Sequence, residues 1–188
     1  YVLARVSGEG SDRNNEAGDM KLTETEKRDI LSLSESYERF LLVLNVGGVI
    51  DLSELGDIKN ILLLSQLGMV TGDAFTDVIL GKAYPSGKLS VSWASPNDYS
   101  DKVEFGHPDD TPYREGIYVG YRYFDTVNKA PSYPFGYGMG YTSFSISEKN
   151  FRLDGRKVMV TVEVKNIGNY PGKEVVQLYY SSPKGSLD

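Results

Sequence analysis

The chain has 188 residues, a formal net charge of −6 and 40% hydrophobic residues. This suits one globular domain, or one domain plus part of a second, and excludes a disordered or fibrous chain. No basic block interrupts the acidic balance, so a nucleic-acid footprint is absent. With no cysteine, neither a disulfide framework nor a thiolate metal site is open to it. The longest apolar run, residues 40–46 with Val49 and Ile50 after two glycines, falls far short of the roughly 20 residues of a membrane helix. No charged segment followed by an apolar stretch marks a signal peptide. The compartment stays open between cytoplasm and secretion.

Residues 1–6 form an apolar run that predicts a buried strand, and the chain is expected to have lost its true start because it opens inside this pattern. A polar loop over 7–19 follows. Thr23 and Glu26 have the spacing of a capping box, and Ile30, Leu33 and Tyr37 recur on one helical face behind it. Residues 40–46, stopped by Gly47-Gly48, predict a strand buried on both faces, and 61–64 repeat the signal. Between them 51–55 offer one or two helical turns, 70–80 an amphipathic helix before Gly81, and 88–93 an alternating strand. Strand and helix in alternation imply an α/β fold with a mostly parallel sheet carrying helices on its faces.

From Ala94 the composition turns to Pro, Asp, Tyr and Gly, and little periodicity survives apart from residues 117–124. Loops this long are functional or interfacial more often than idle. The glycine-aromatic run 135–141 reads as a hinge. Beyond it the pattern is all β: 144–147, then 157–165 with alternating valines, then 174–180, with Asn166 to Asn169 as the turn between the last two. These strands fall short of the roughly seven of a β-sandwich. The chain is therefore expected to be truncated, with an incomplete sandwich that further sequence or a partner chain completes. The expected domains are 1–93, an α/β/α sandwich; 94–140, a tyrosine-rich connecting layer; and 141–188, the first strands of a β-sandwich.

The candidate chemistry lies in Ser7-Gly8-Glu9-Gly10-Ser11-Asp12-Arg13. Glu9 is a carboxylate directly after a strand, on a loop whose glycines permit close approach to a ligand, where α/β proteins place chemistry. A merely solvated turn is the bland alternative. Arg13 can meet an acidic group or a sugar hydroxyl, or Asp12 and Arg13 can form a local pair that stabilises the loop; Ser11 carries the same ambiguity. A dinucleotide loop is disfavoured because Arg13 replaces the third small residue and no helix opens immediately. His107 is the sole histidine and reads as a loop residue, since no histidine metal cluster or nucleophile elbow accompanies it. Trp93, Tyr113, Tyr118, Tyr121 and Tyr123 could stack on sugars, but packing between two domains suits them better.

Several blocks in fixed order resemble the C-terminal half of glycoside hydrolase family 3. They are Ser7-Gly8-Glu9-Gly10, Leu44-Asn45-Val46-Gly47-Gly48, the run 81–89 opening Gly81-Lys82-Ala83-Tyr84-Pro85, the run 115–125 around Gly120-Tyr121-Arg122, Phe135-Gly136-Tyr137-Gly138 with Tyr141-Thr142, and Asn166-Ile167-Gly168 with the run 172–179. The resemblance implies an α/β/α sandwich followed by a fibronectin type III-like domain. It implies a retaining exo-acting β-glycosidase similar to β-glucosidases or β-xylosidases, with Glu9 as general acid/base and the aspartate nucleophile on a (β/α)8 barrel absent from these residues. Residues 64–73 depart from the commoner family pattern and resemble the branch in which the barrel follows, so the barrel is expected C-terminal. The implied partner is a β-glucoside or related oligosaccharide; no cofactor or metal, nucleic acid or membrane is implied, and a homo-oligomer stays open. The alternative reading is a non-catalytic scaffold or carbohydrate-binding module.

Overall fold

In the computed structural model, the residues described are 1–6, 13–99, 109–110 and 112–181. Strands β1 (Val2–Ala4), β2 (Leu42–Asn45) and β3 (Ile61–Leu63) form a parallel sheet in the order β1-β2-β3. Leu3 lies beside Leu44, and Leu44 beside Leu63. This order explains the hydrophobic patterning. The central strand has neighbours on both sides, and Leu42, Val43 and Leu44, which alternate between its faces, are all buried. β1 sits at an edge, so the expected buried strand is half exposed: Leu3 is buried, while Val2 and Val6 face out. β3 is half-buried throughout.

Helix α1 (Glu24–Ser36) begins where the sequence predicts. Thr23 accepts a hydrogen bond from the Glu26 backbone, and Glu26 returns one from the Thr23 N–H at 2.8 Å, which closes the capping box. Ile30 is fully buried against Leu3, Leu42 and Leu44. Tyr37, expected on the same face, is instead the exposed C-cap residue, because the backbone has turned extended there. Residues 51–55 yield one 3-10 turn, Ser53–Leu55, and helix α2 (Thr71–Ile79) follows another over Gly68–Val70. No residue of α2 is fully buried.

The run 88–93 is not a strand. Its backbone bonds to the backbone of segment 133–137 at Trp93 with Tyr133 and at Leu89 with Gly136 and Tyr137, and the Phe135 N–H donates to the Ser92 hydroxyl at 3.2 Å. A bend at Ser90 and Val91 breaks the ladder between them. The tyrosine-rich layer contains a short helix, α3 (Tyr121–Thr126), which overlaps the periodic run 117–124. Its Phe124 is buried under Tyr99 and Tyr123, and Tyr121 packs on Phe135 with ring centroids 5.0 Å apart. Trp93 belongs to the buried core. Tyr113 is exposed.

Strands β4 (Phe144–Asp154) and β5 (Lys157–Asn166) form an antiparallel hairpin. β4 runs well past the predicted end at residue 147. A bulge between Glu148 and Asn150 shifts the side-chain alternation there, so the period-2 signal fades although the pairing continues. Residues 174–180 join no sheet among the described residues. Side chains hold them instead: Glu174 pairs with Lys88 at 2.8 Å, Gln177 donates to the Gly136 carbonyl at 3.0 Å, and the Tyr179 ring meets Tyr121 and Phe135.

Gly136 has φ +79, and a Cβ there would collide with the Gln177 side chain. Gly136→Ala should therefore strain the backbone and expel Gln177 together, costing about 1–3 kcal/mol. Gln177→Ala, which removes two exposed hydrogen bonds, one to the Gly136 carbonyl and one from the Tyr179 hydroxyl, should cost less, about 1 kcal/mol. Denaturant unfolding of the two variants checks the order.

Candidate functional site

In open α/β sheets ligands gather beyond the carboxyl ends of the strands. Here that edge is formed by Arg5 and Val6 after β1, residues 46–49 after β2, and residues 64–66 after β3. Gln66 crosses the edge and donates to the Arg5 carbonyl at 3.0 Å. A Cβ on Gly47 would lie 2.5 Å from Gln66 Oε1, and a Cβ on Gly48 would lie 2.9 Å from Arg13 Nη1. The two glycines ending β2 thus admit a side chain from each neighbouring connection. The sequence shows that both are glycine, but not that Gln66 and Arg13 are the reason.

Glu9, Ser11 and Asp12 lie outside the described residues, as does His107. Arg13 is described. Its Nε donates to Asp19 Oδ1 at 2.7 Å and its Nη1 to the Val49 carbonyl at 2.7 Å. Its buried Nη2 has no hydrogen-bond partner among the described residues. The Asn14 N–H donates to the other Asp19 oxygen at 2.6 Å. A tight turn brings Asp19 into place: the Met20 N–H bonds back to the Asn14 carbonyl, the Gly18 N–H bonds to Lys21, and Gly18 takes φ +90.

Arg5 directs all its donors inward. Nε reaches the Asp19 carbonyl, Nη1 the Ala4 carbonyl and Glu26 Oε1, and Nη2 the Lys21 carbonyl and Glu26 Oε2. The two carboxylate contacts are 2.7 and 2.8 Å, a bidentate pair. Its side chain is 7% exposed. Sequence reasoning missed Arg5, Asp19 and Gln66. The available signal was a lone arginine at the end of an otherwise apolar strand, which needs a partner when buried.

The carboxylates near this edge are committed. The Asn14 N–H, followed by the Arg13 side chain, holds Asp19 below the usual carboxylate range against some desolvation. The Arg5 guanidinium does the same for Glu26, with the Thr23 N–H assisting. For Asp51 desolvation pushes upward, but hydrogen bonds from Ser53 and Ser95 prevail and lower it. Groups that ionise more easily than normal are poor proton donors. A groove of 640 Å³ opens beside the edge, lined by Val46, Gly47, Leu64, Ser65, Val78 and Leu89 among others. None of the residues lining it is acidic. At this edge the described residues thus provide a scaffold and an apolar groove, with Asp19, Glu26 and Asp51 each engaged in hydrogen bonds.

The profile of the glycosyl hydrolase family 3 C-terminal domain matches residues 1–141. The chain belongs to glycosyl hydrolase family 3. Its family 3 relatives include β-glucosidase A of Butyrivibrio fibrisolvens, 40% identical over 90% of this chain and 23% of that protein, and a β-glucosidase of Ruminococcus albus, 37% identical over 99% and 20%. Among solved structures, a β-glucosidase from Paenibacillus barengoltzii superimposes with a TM-score of 0.91 at 37% identity, covering 99% of this chain and 21% of that one. β-Glucosidase 3B from Thermotoga neapolitana, in complex with glucose, gives 0.81 at 37% identity, covering 89% and 25%. The chain thus spans between a fifth and a quarter of the length of these family 3 proteins.

The lowered Glu26 value has a testable consequence. A carboxylate depressed in the folded state contributes stability that is complete above its unfolded value and is lost as pH falls through the folded one. Glu26→Gln should destabilise the protein by about 1.5–3 kcal/mol near pH 7. The gap from wild type should narrow as pH is lowered to about 3. Urea unfolding across that range measures it; a gap independent of pH would refute the charged pairing as its source.

Proposed function

We propose that this chain is the part of a retaining, exo-acting β-glycosidase, in first place a β-glucosidase, that supplies the general acid/base Glu9. The nucleophilic aspartate belongs to a (β/α)8 barrel outside these 188 residues, and the substrate is a terminal β-glucoside or a related oligosaccharide. In this reading residues 1–93 are the α/β/α sandwich domain, 94–140 the connecting layer and 141–188 the start of a fibronectin type III-like domain. Glucose in the Thermotoga neapolitana homologue supports the sugar class. The observation that carries the assignment to Glu9 is the Ser7-Gly8-Glu9-Gly10 motif, which resembles the family's acid/base loop, in a chain whose residues 1–141 match the family's C-terminal domain. Asp19, Glu26 and Asp51, each hydrogen-bonded and shifted down, support it by being engaged otherwise.

The chemistry then needs two carboxyl groups about 5–5.5 Å apart. One attacks the anomeric carbon while Glu9 protonates the leaving oxygen. Glu9 must be protonated for that step, and the negative charge of the nucleophile, once close, favours its protonated form. Glycosylation consumes that charge, and Glu9 then acts as base on the incoming water. Ser11, Asp12 and Arg13 flank it, and a contact from any of them to the sugar is secondary in this scheme.

The test is made on the full-length enzyme. Glu9→Ala should lower kcat by about 10²–10⁴-fold for aryl β-glucosides with poor leaving groups and much less for good ones. Azide should restore turnover by replacing water, which no longer has a base. Wild-type rates on every substrate would refute the assignment and leave the scaffold or carbohydrate-binding reading in its place.

A further inference from the structure

We propose that Arg13 and Asp19, seated against Gly48, are positioning residues for Glu9: they fix the exit of the loop that carries it, as Arg5 fixes the entry. This inference rests on the acid/base reading of Glu9 and adds the groups that hold the acid where it must act. The chain leaves β1 at Arg5, whose N–H donates to the Asn45 carbonyl and whose guanidinium ends on Asp19, Lys21 and Glu26. It returns at Arg13, which is tied to Asp19 and Val49. Both ends therefore converge on one residue: the Asp19 carbonyl accepts from Arg5 at 3.0 Å and its carboxylate from Arg13 at 2.7 Å.

The pair differs from an ordinary surface ion pair. The Arg13 and Asp19 side chains are 17% and 28% exposed, whereas those of the Arg28 and Asp29 pair are 70% and 39% exposed. The Asp19 carboxylate also binds the Asn14 backbone, so the clamp holds main chain on the loop side. On the other side Arg13 holds the Val49 carbonyl, and the bare Gly48 leaves room for its Nη1. Arginine serves both acceptors through its rigid fork; a lysine ammonium is a single point and cannot reproduce that geometry. A general acid must sit within hydrogen-bond reach of the leaving oxygen, and displacement by about 1 Å can cost about 10²-fold in rate. Freeing one end of the loop removes that placement and leaves the acid itself intact.

The experiment compares full-length Asp19→Asn, Arg13→Lys and Gly48→Ala with wild type, Glu9→Ala and the exposed-pair control Asp29→Asn. Substrates are aryl β-glucosides graded by leaving-group acidity. The clamp variants should lose kcat by about 10–100-fold on poor leaving groups and only a few-fold on good ones, with KM changed little. Asp29→Asn should match wild type. A merely structural role would reduce all substrates alike, so a uniform loss, or none, overturns the proposal. Gly48→Ala leaves both charges in place and decides the matter if Asp19→Asn does not fold. If Glu9→Ala shows no leaving-group dependence, the acid/base reading itself fails. If it shows a steep dependence that the clamp variants lack, only the positioning inference fails.

Discussion

Arg5 joins three parts of the chain that the hydrophobic core already brings near one another: the end of an edge strand, the turn at Asp19 to Lys21, and the first turn of α1. Its guanidinium carries five donors and no acceptor, and all five find oxygen. A buried cation missing even one of its stronger partners is costly, whereas one fully bonded is close to neutral in stability and high in specificity. The pair therefore matters for geometry more than for net free energy. Glu26 serves twice, since the oxygen that closes the capping box at Thr23 is also the one that receives Arg5 Nη2. The start of the helix and the end of the strand are located by one carboxylate.

The same logic recurs at the other end of the chain with different chemistry. Lys88 donates to the Gly138 carbonyl at 2.7 Å and pairs with Glu174 at 2.8 Å. Both side chains of that pair are largely shielded from water. Lys88 also lowers the Glu174 carboxyl, with the Val175 N–H assisting. A segment outside any described ladder is thus held to the glycine-aromatic run by a cation, an amide and a ring.

How much of this could be read in advance depended on the range of the interaction. The capping box, the apolar run of β2 and the parallel arrangement follow from local rules acting over a few residues, and they were legible. The strand expected over 88–93 failed because alternation alone does not secure a partner along its whole length, and Ser90 and Val91 bend away. The run 117–124 stood out in the tyrosine-rich stretch, but that it folds as a helix from Tyr121 depends on tertiary packing, the burial of Phe124 under Tyr99. At the candidate site, motif resemblance singled out the loop of Glu9. The clamp around it was not legible, because Arg5 and Glu26 are 21 residues apart and Arg13 and Val49 36 apart. No short-range spacing rule connects such pairs.

The division between committed and uncommitted carboxylates gives the site its logic. A frame that must hold a loop in register needs acids that stay ionised, because their partners are arginines and backbone N–H groups. A proton donor needs the opposite environment, poor in cations and close to another negative charge. Placing both demands on neighbouring residues would set them against each other, since a cation beside a carboxyl group favours its ionised form and removes the proton a donor must keep. Arg5 and Arg13 avoid that conflict by being neutralised before they can act at a distance: Glu26 takes the first and Asp19 the second. The two ends of this connection are thus held by cations whose charge is already balanced.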